Sequence, residues 1–181
     1  MPTLRIVDPK HRTRYLWEGD VHNMTGDDIA KFVSEFKAGN LSQHIASEPI
    51  PEQATVEGMT TVVSYSWDDI VMDNSKDVFV EIYAPWCGHC KKLEPIWKEL
   101  GQTVEGIEDL IIAKMDGTAN EVAGLDIKGF PTIKFFPKGK KRAVQDYKGN
   151  RDGVGSFLVW LNENSEVYKE AGEAKKAERE A

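Results

Sequence analysis

Cysteine is scarce in this chain, two among 181 residues, which is too few for the disulfide framework that holds small secreted domains together. Long apolar runs are missing as well. Nothing approaches the roughly 18 consecutive apolar residues of a membrane helix, and Met1-Pro2-Thr3-Leu4-Arg5 does not open a secretory signal peptide. Basic charge is in deficit, with 23 Lys and Arg against 30 Asp and Glu for a net charge of -7. That balance leaves no cationic stripe for phosphate and argues against nucleic acid, an anionic membrane surface or membrane insertion. What is present is the composition of a folded soluble protein, with 40% hydrophobic residues, five Trp and 29% charged residues. The length suits one full domain plus something smaller.

The strongest strand pattern is Asp77-Val78-Phe79-Val80-Glu81-Ile82-Tyr83, an apolar run suited to a central strand buried on both faces. Pro85-Trp86 breaks the chain, and Leu93, Ile96, Trp97 and Leu100 then recur at helical spacing, so Cys87 falls at a helix start. Thr61–Val63 and Trp67–Val71 precede this unit as a first strand and helix. After it come a second strand over Leu110–Met115, a short helix over Glu121–Asp126 and a third strand over Thr132–Phe136. A turn at Lys138–Lys141, a returning strand over Val144–Tyr147 and a helix from Val154 to about Asn164 close the pattern. Strands alternating with helices, followed by a hairpin and a helix, predict an α/β sandwich.

The front of the chain repeats the end of that unit. Pro2-Thr3-Leu4-Arg5-Ile6 echoes Pro131-Thr132-Ile133-Lys134-Phe135, and Tyr15-Leu16-Trp17-Glu18-Gly19 echoes the stretch ending Tyr147-Lys148-Gly149. Both continue into an amphipathic helix, here carrying Ile29, Phe32, Val33 and Phe36. Residues 1–41 read as the truncated end of a sister domain, or as a coincidence between two short β-turn-β-α segments. The proline-broken residues within 42–58 read as a linker, 59–165 as the main domain, and 166–181 as a charged tail forming a solvated helix or frayed end.

Cys87-Gly88-His89-Cys90 carries the chemistry. Thiol-disulfide exchange needs a thiolate that attacks and a second thiol near enough to resolve the mixed disulfide. Cys87 at a helix N-terminus faces unpaired backbone N–H groups, which favour its thiolate and lower its pKa. His89 can add positive charge or a hydrogen bond, which favours oxidation and exchange over simple reduction. Cys90, one turn inside, is the resolving thiol. Glu81 in a buried strand fits a proton acceptor for Cys90, or else it faces water from an edge strand. Lys114 in the neighbouring strand either pairs with Glu81 or marks that strand's end. Zinc would need more ligands than Cys87, His89 and Cys90 supply, and His11, His22 and His44 lie in the linker-side fragment, apart from the motif. As a staple so short a disulfide loop adds little stability.

Tyr83-Ala84-Pro85-Trp86-Cys87-Gly88-His89-Cys90-Lys91-Lys92-Leu93, followed by Gly129-Phe130-Pro131-Thr132, closely resembles the catalytic domains of the protein disulfide isomerase family, from about Met59 to Asn164. The resemblance implies a thioredoxin-like fold, a central mixed sheet flanked by helices, preceded by an incomplete thioredoxin-like β-β-α segment. It implies a cis bond before Pro131, substrate contact through the Phe130 backbone and Trp86, and an arginine, matched by Arg151, that swings toward the resolving cysteine. It further implies an isomerase and oxidase acting on unfolded or misoxidised proteins, with a chaperone-type binding module as the alternative. The Cys87–Cys90 disulfide then stands in for any cofactor, and a thiol oxidase or glutathione recycles it. Residues 1–41 become the end of a non-catalytic substrate-binding domain. The family's retention signal is missing at Glu178-Arg179-Glu180-Ala181, and the expectation is a fragment of a protein of the endoplasmic reticulum lumen. The sequons Asn23-Met24-Thr25 and Asn40-Leu41-Ser42 are compatible with a lumen.

Overall fold

The computed structural model describes residues 3–8 and 13–180; Pro2 of the internal echo and His11 lie outside them. The chain divides into two compact units, residues 1–46 and 47–181. In the first, β1 (Arg5–Asp8) pairs antiparallel with β2 (Thr13–Leu16), and α1 (Gly26–Ala38) follows. A reciprocal capping box between Thr25 and Asp28 starts α1. Its apolar stripe buries Phe32 and sets Phe36 edge-on against Tyr15, with ring centroids 5.1 Å apart.

The second unit is built on a six-stranded sheet of order β3-β4-β6-β5-β7-β8, comprising β3 (Thr55–Val56), β4 (Met59–Thr61), β5 (Asp77–Tyr83), β6 (Leu110–Asp116), β7 (Thr132–Phe136) and β8 (Gln145–Asp146). Strands β4, β6 and β5 run parallel, whereas β7 lies antiparallel to β5 and the two hairpin strands β3 and β8 close the edges. Helices α3 (Gly88–Val104) and α4 (Val154–Asn164) supply Leu93, Trp97, Leu100, Phe157 and Leu161 to the core on one face of the sheet. The other face packs Val78, Val80, Ile82, Ala113 and Met115 against Trp67 and Val71. Side chains alternate across a strand. Phe79 belongs to the helix-covered face, so Glu81 two residues on shares it. By the same rule Lys114 follows Leu110 and Ile112 onto that face.

Several boundaries differ from the sequence reading. The first strand is Met59–Thr61, not Thr61–Val63. Val62 N–H makes a last bond to the Lys114 carbonyl, and Val63 N–H already donates to Ser66 Oγ at 3.1 Å, turning the chain into a 3-10 turn at Ser64–Ser66. Helix α2 is accordingly short, Trp67–Ile70. Residues Glu121–Asp126 form no helix but a turn, because Gly124 takes a left-handed φ of 76° and too few residues remain to nucleate one. The returning strand shortens to Gln145–Asp146.

The tail is helical as α5 (Glu166–Glu180), but it is not purely solvated, since Val167 and Tyr168 pack on the core. Its start is anchored by buried Asp77, which accepts from Ser165 Oγ at 2.6 Å and from Lys138 N–H. Within the stretch read as linker, Thr55–Val56 joins the sheet. Ser47 and Glu48 are strapped down by the buried amide of Asn120. Its oxygen accepts from Glu48 and Ser64 N–H, each at 3.1 Å, and its nitrogen donates to Glu48 Oε2 at 2.7 Å.

Helix α3 approaches the β3–β4 turn backbone to backbone: a Cβ on Gly101 would stand 2.6 Å from the Gly58 carbonyl oxygen. Gly101→Ala is expected to lower unfolding stability in urea by about 1–3 kcal/mol through overpacking. Gly155→Ala, whose Cβ meets nothing within 4 Å, should instead raise it by about 0.4–1 kcal/mol. Equal effects of the two substitutions would refute the close approach.

Candidate active site

The N-terminus of α3 is capped by a thiol. Cys87 stands at the N-cap in extended conformation, and its Sγ accepts the Cys90 backbone N–H at 3.3 Å. The side-chain hydrogen bond from Cys90 lowers the Cys87 pKa most; burial opposes it, and the Cys90 and His89 backbone N–H groups lower it further against the Glu81 charge. The backbone contribution is the helix-terminus effect expected from position. His89 is exposed and contributes through its backbone N–H. Gly88 is open, with nothing within 4 Å of an added Cβ, and no contact explains why glycine stands there.

Cys90 is oppositely disposed. Buried at 4% exposure, its thiol is pushed up to about 12, first by desolvation and then by its bond to Cys87 and the nearby negative charges of Cys87 and Glu81. The two sulfurs, both unbridged, therefore differ in the sense that exchange requires: one shifted toward its thiolate at the helix end, the other holding its proton one turn inside.

Glu81 lies beneath that second thiol. It is 3% exposed, and its Oε1 has no hydrogen-bond partner among the described residues. Burial raises its carboxyl to about 7, opposed by Lys114, reinforced by Glu94 and opposed again by Arg151. Glu81, Cys90, Glu94 and Lys114 line one cavity of about 120 Å³, roomy enough for water. Lys114 stands opposite Glu81 in the parallel ladder, yet its ion pair is with Glu94 Oε1 at 3.8 Å, and its ammonium lies 5.9 Å from the Tyr83 ring centroid. The two alternatives read for Lys114 thus give way to a third.

The Phe130–Pro131 bond is cis, and the Phe130 carbonyl accepts from the Cys87 thiol at 3.5 Å. Trp86 is 72% exposed and meets Phe130 edge-on, with centroids 5.9 Å apart. An apolar surface thus adjoins the thiol. Arg151 is held elsewhere: its Nη1 donates to the Pro131 carbonyl at 3.1 Å, and it lines a separate cavity with Pro131 and Lys148. The structure thus gathers Cys87, Gly88, His89, Cys90, Trp86, Phe130 and Pro131 around the helix end, with Glu81 and Lys114 below. Arg151 touches the site through the Pro131 carbonyl and acts on Glu81 by its charge. Sequence reasoning missed Glu94, although its place four residues after Cys90 on α3 puts both on one helix face.

A dithiol at a helix N-cap beside a cis-proline, on a mixed sheet, defines the class. The Thioredoxin family model matches residues 58–159, and the chain belongs to the thioredoxin family. It is 42% identical over 160 residues to the protein disulfide-isomerase of Gallus gallus, covering 87% of this chain and 31% of that protein. The enzyme of Oryctolagus cuniculus matches at 42% identity with the same coverages. The chain thus spans under a third of the length of these relatives. Among solved structures, the first thioredoxin domain of mouse protein disulfide-isomerase A4 is 29% identical with a TM-score of 0.51, covering 62% of this chain and 81% of that one.

A carboxyl raised from 4.5 to about 7 on folding makes the native state bind more protons than the unfolded state between those values. Its cost therefore grows as pH rises through that window and is complete above about 7. Glu81→Gln should leave stability nearly unchanged at pH 4 and increase it at pH 8 by an amount on the order of 3 kcal/mol, measured by urea unfolding. A pH-independent difference would show that Glu81 is not ionised at a cost.

Proposed function

We propose that the chain is the catalytic segment of a protein disulfide isomerase, forming, breaking and rearranging disulfides in protein substrates. The observation that carries this is the opposed character of the two thiols, Cys87 lowered at the N-cap and Cys90 raised to about 12 above a buried carboxyl.

The Cys87 thiolate attacks a substrate disulfide. One Cys87–substrate bond forms as the substrate S–S bond breaks, and the other substrate sulfur leaves as thiolate with the electron pair. Isomerisation ends when a substrate thiolate displaces Cys87, with no net oxidation. Reduction ends when the Cys90 thiol gives its proton to the Glu81 carboxylate and attacks Cys87 Sγ, so that the Cys87–Cys90 disulfide forms and the substrate leaves as thiolate. Oxidation of a substrate dithiol is the same sequence reversed. Glu81 suits this role because a base near neutrality can both accept and return a proton at working pH. Trp86, Phe130 and Pro131 contact the extended substrate segment beside the disulfide, and the exposed Trp86 surface also supports holding of unfolded chains. Arg151, released from Pro131, would approach Cys90 and ease its ionisation.

On this reading the redox-active Cys87–Cys90 pair serves without a dissociable cofactor, recycled by glutathione or a thiol oxidase in the endoplasmic reticulum lumen. Residues 1–41 are the end of a non-catalytic thioredoxin-like domain. The internal likeness supports this, including a Trp17 ring packed over Gly19 as Tyr147 packs over Gly149.

Cys87→Ser should abolish refolding of a scrambled-disulfide substrate, because a hydroxyl at the N-cap cannot supply the thiolate; full activity in that variant would sink the proposal. If the exposed surface alone is the function, the Cys87→Ser, Cys90→Ser double variant would suppress aggregation of a cysteine-free substrate as well as the parent does, while the parent shows no isomerase turnover.

A further inference from the structure

Two carboxylates compete for one ammonium at the floor of the site. Glu81 and Lys114 are Cα partners in adjacent parallel strands and share the face covered by α3, so the flexible four-carbon stem of Lys114 has Glu81 within its reach. Its ammonium nevertheless sits at the Glu94 carboxylate, at 3.8 Å, and against the Tyr83 ring. Glu81 Oε1 is left buried and unpartnered. Lys114 is partly buried while Glu94 is 63% exposed, so Glu94 draws the cation from the floor of the cavity toward its mouth.

We propose that Glu94 is a positioning residue for the resolving step: it holds the Lys114 ammonium at the cavity mouth and keeps that cation from closing onto Glu81, leaving the buried carboxylate free to take and return the Cys90 proton. This rests on the exchange chemistry proposed above. The charged and titratable groups facing Glu81 are Lys114 from β6, Cys90, Lys91 and Glu94 from α3, Tyr83 from its own strand and Arg151 from the loop before α4. Arg151 is tied to the Pro131 carbonyl, and Lys114 is the cation that lowers the Glu81 pKa most. A carboxylate paired with an ammonium holds its proton less well and is a weaker base for a thiol. Glu94 acts on Glu81 in the same sense through its own negative charge, and the test must separate the two routes.

The side-chain carboxyl of Glu81 is titrated by carbon-13 NMR in the reduced parent chain, Glu94→Gln, Lys114→Met and the double variant. Release of glutathione from the Cys87 mixed disulfide is followed against pH in single turnover. In Glu94→Gln the Glu81 midpoint should move to lower pH by about one pH unit. Glutathione release above that midpoint should slow by about threefold, as expected for a weaker base. Added to Lys114→Met, the Glu94 substitution should produce a clearly smaller shift and less slowing, since only its direct field is then lost. An unchanged midpoint in Glu94→Gln overturns the proposal, and so does an equal shift in the Lys114→Met background, which would reduce Glu94 to a direct field. A shifted midpoint with unchanged release overturns the link to the resolving step. The titration reads Glu81 whether or not protein disulfides are substrates, so this result and the fate of Cys87→Ser stand apart.

Discussion

Strand β5 has both faces covered, and the alternation of its side chains ties the core to the chemistry. Val78, Val80 and Ile82 face one layer of the sandwich, and Phe79 faces the other. Phe79 contacts the rings of Trp97, Phe135, Tyr147, Phe157 and Trp160 with centroids 5.0 to 6.1 Å apart. Register slippage by one residue would turn that aromatic centre to the wrong side. The same constraint places Glu81 under the first turn of α3. Helix α3 is itself fixed by Trp97, whose indole N–H donates to the Ala113 carbonyl at 2.9 Å. The separation of Glu81 from Cys90 is therefore set by packing that extends through the whole domain, and no loop needs to hold it.

The thiols use the two ends of one physical gradient. At the helix N-terminus, backbone N–H groups without helical partners meet the Cys87 sulfur and act as fixed positive poles. One turn further the same backbone is satisfied, solvent is gone, and the Cys90 thiol keeps its proton. The bond between the two thiols, the burial of Cys90 and the helix start together create a difference in acidity from two identical side chains. What they do not create is a way for the buried proton to leave; the proposed route is Glu81, which lines one cavity with Cys90, Lys114 and Glu94.

Much of this was legible in the sequence because it follows from period and position. The apolar run of β5, the helical spacing of Leu93, Trp97 and Leu100, and the place of Cys87 before them were enough to locate the thiols at a helix end. The misplacements are local. Val62 and Val63 look like strand, but a competing hydrogen bond from Val63 N–H to Ser66 Oγ turns the chain out of the sheet. Glu121–Asp126 looks like helix, and Gly124 stops it. The tail looked wholly polar because two apolar residues, Val167 and Tyr168, make no periodic stripe, yet they suffice once Asp77 anchors Ser165. The Lys114–Glu94 contact was hidden for another reason, since it joins a strand to a helix and no spacing within either element announces it.

An ionisable carboxyl inside a central strand contradicts every local rule for that position, and its cost at neutral pH is on the order of 3 kcal/mol. Marginal domains do not tolerate such a term without compensation. Here the aromatic cluster around Phe79 lies two residues away on the same face. The buried Asp77 and Asn120 networks, with their polar atoms satisfied, tie α5 and the Ser47–Glu48 entry onto the sheet. These contrasting fates of buried polar side chains are informative. Where the role is structural, at Asp77 and Asn120, hydrogen bonds saturate the group. At Glu81, proposed to change protonation, Oε1 is left without a bond among the described residues and the Lys114 ammonium pairs with Glu94. Among the described residues of the second unit, the buried side-chain atom left without a hydrogen bond thus belongs to Glu81, in the cavity it shares with Cys90.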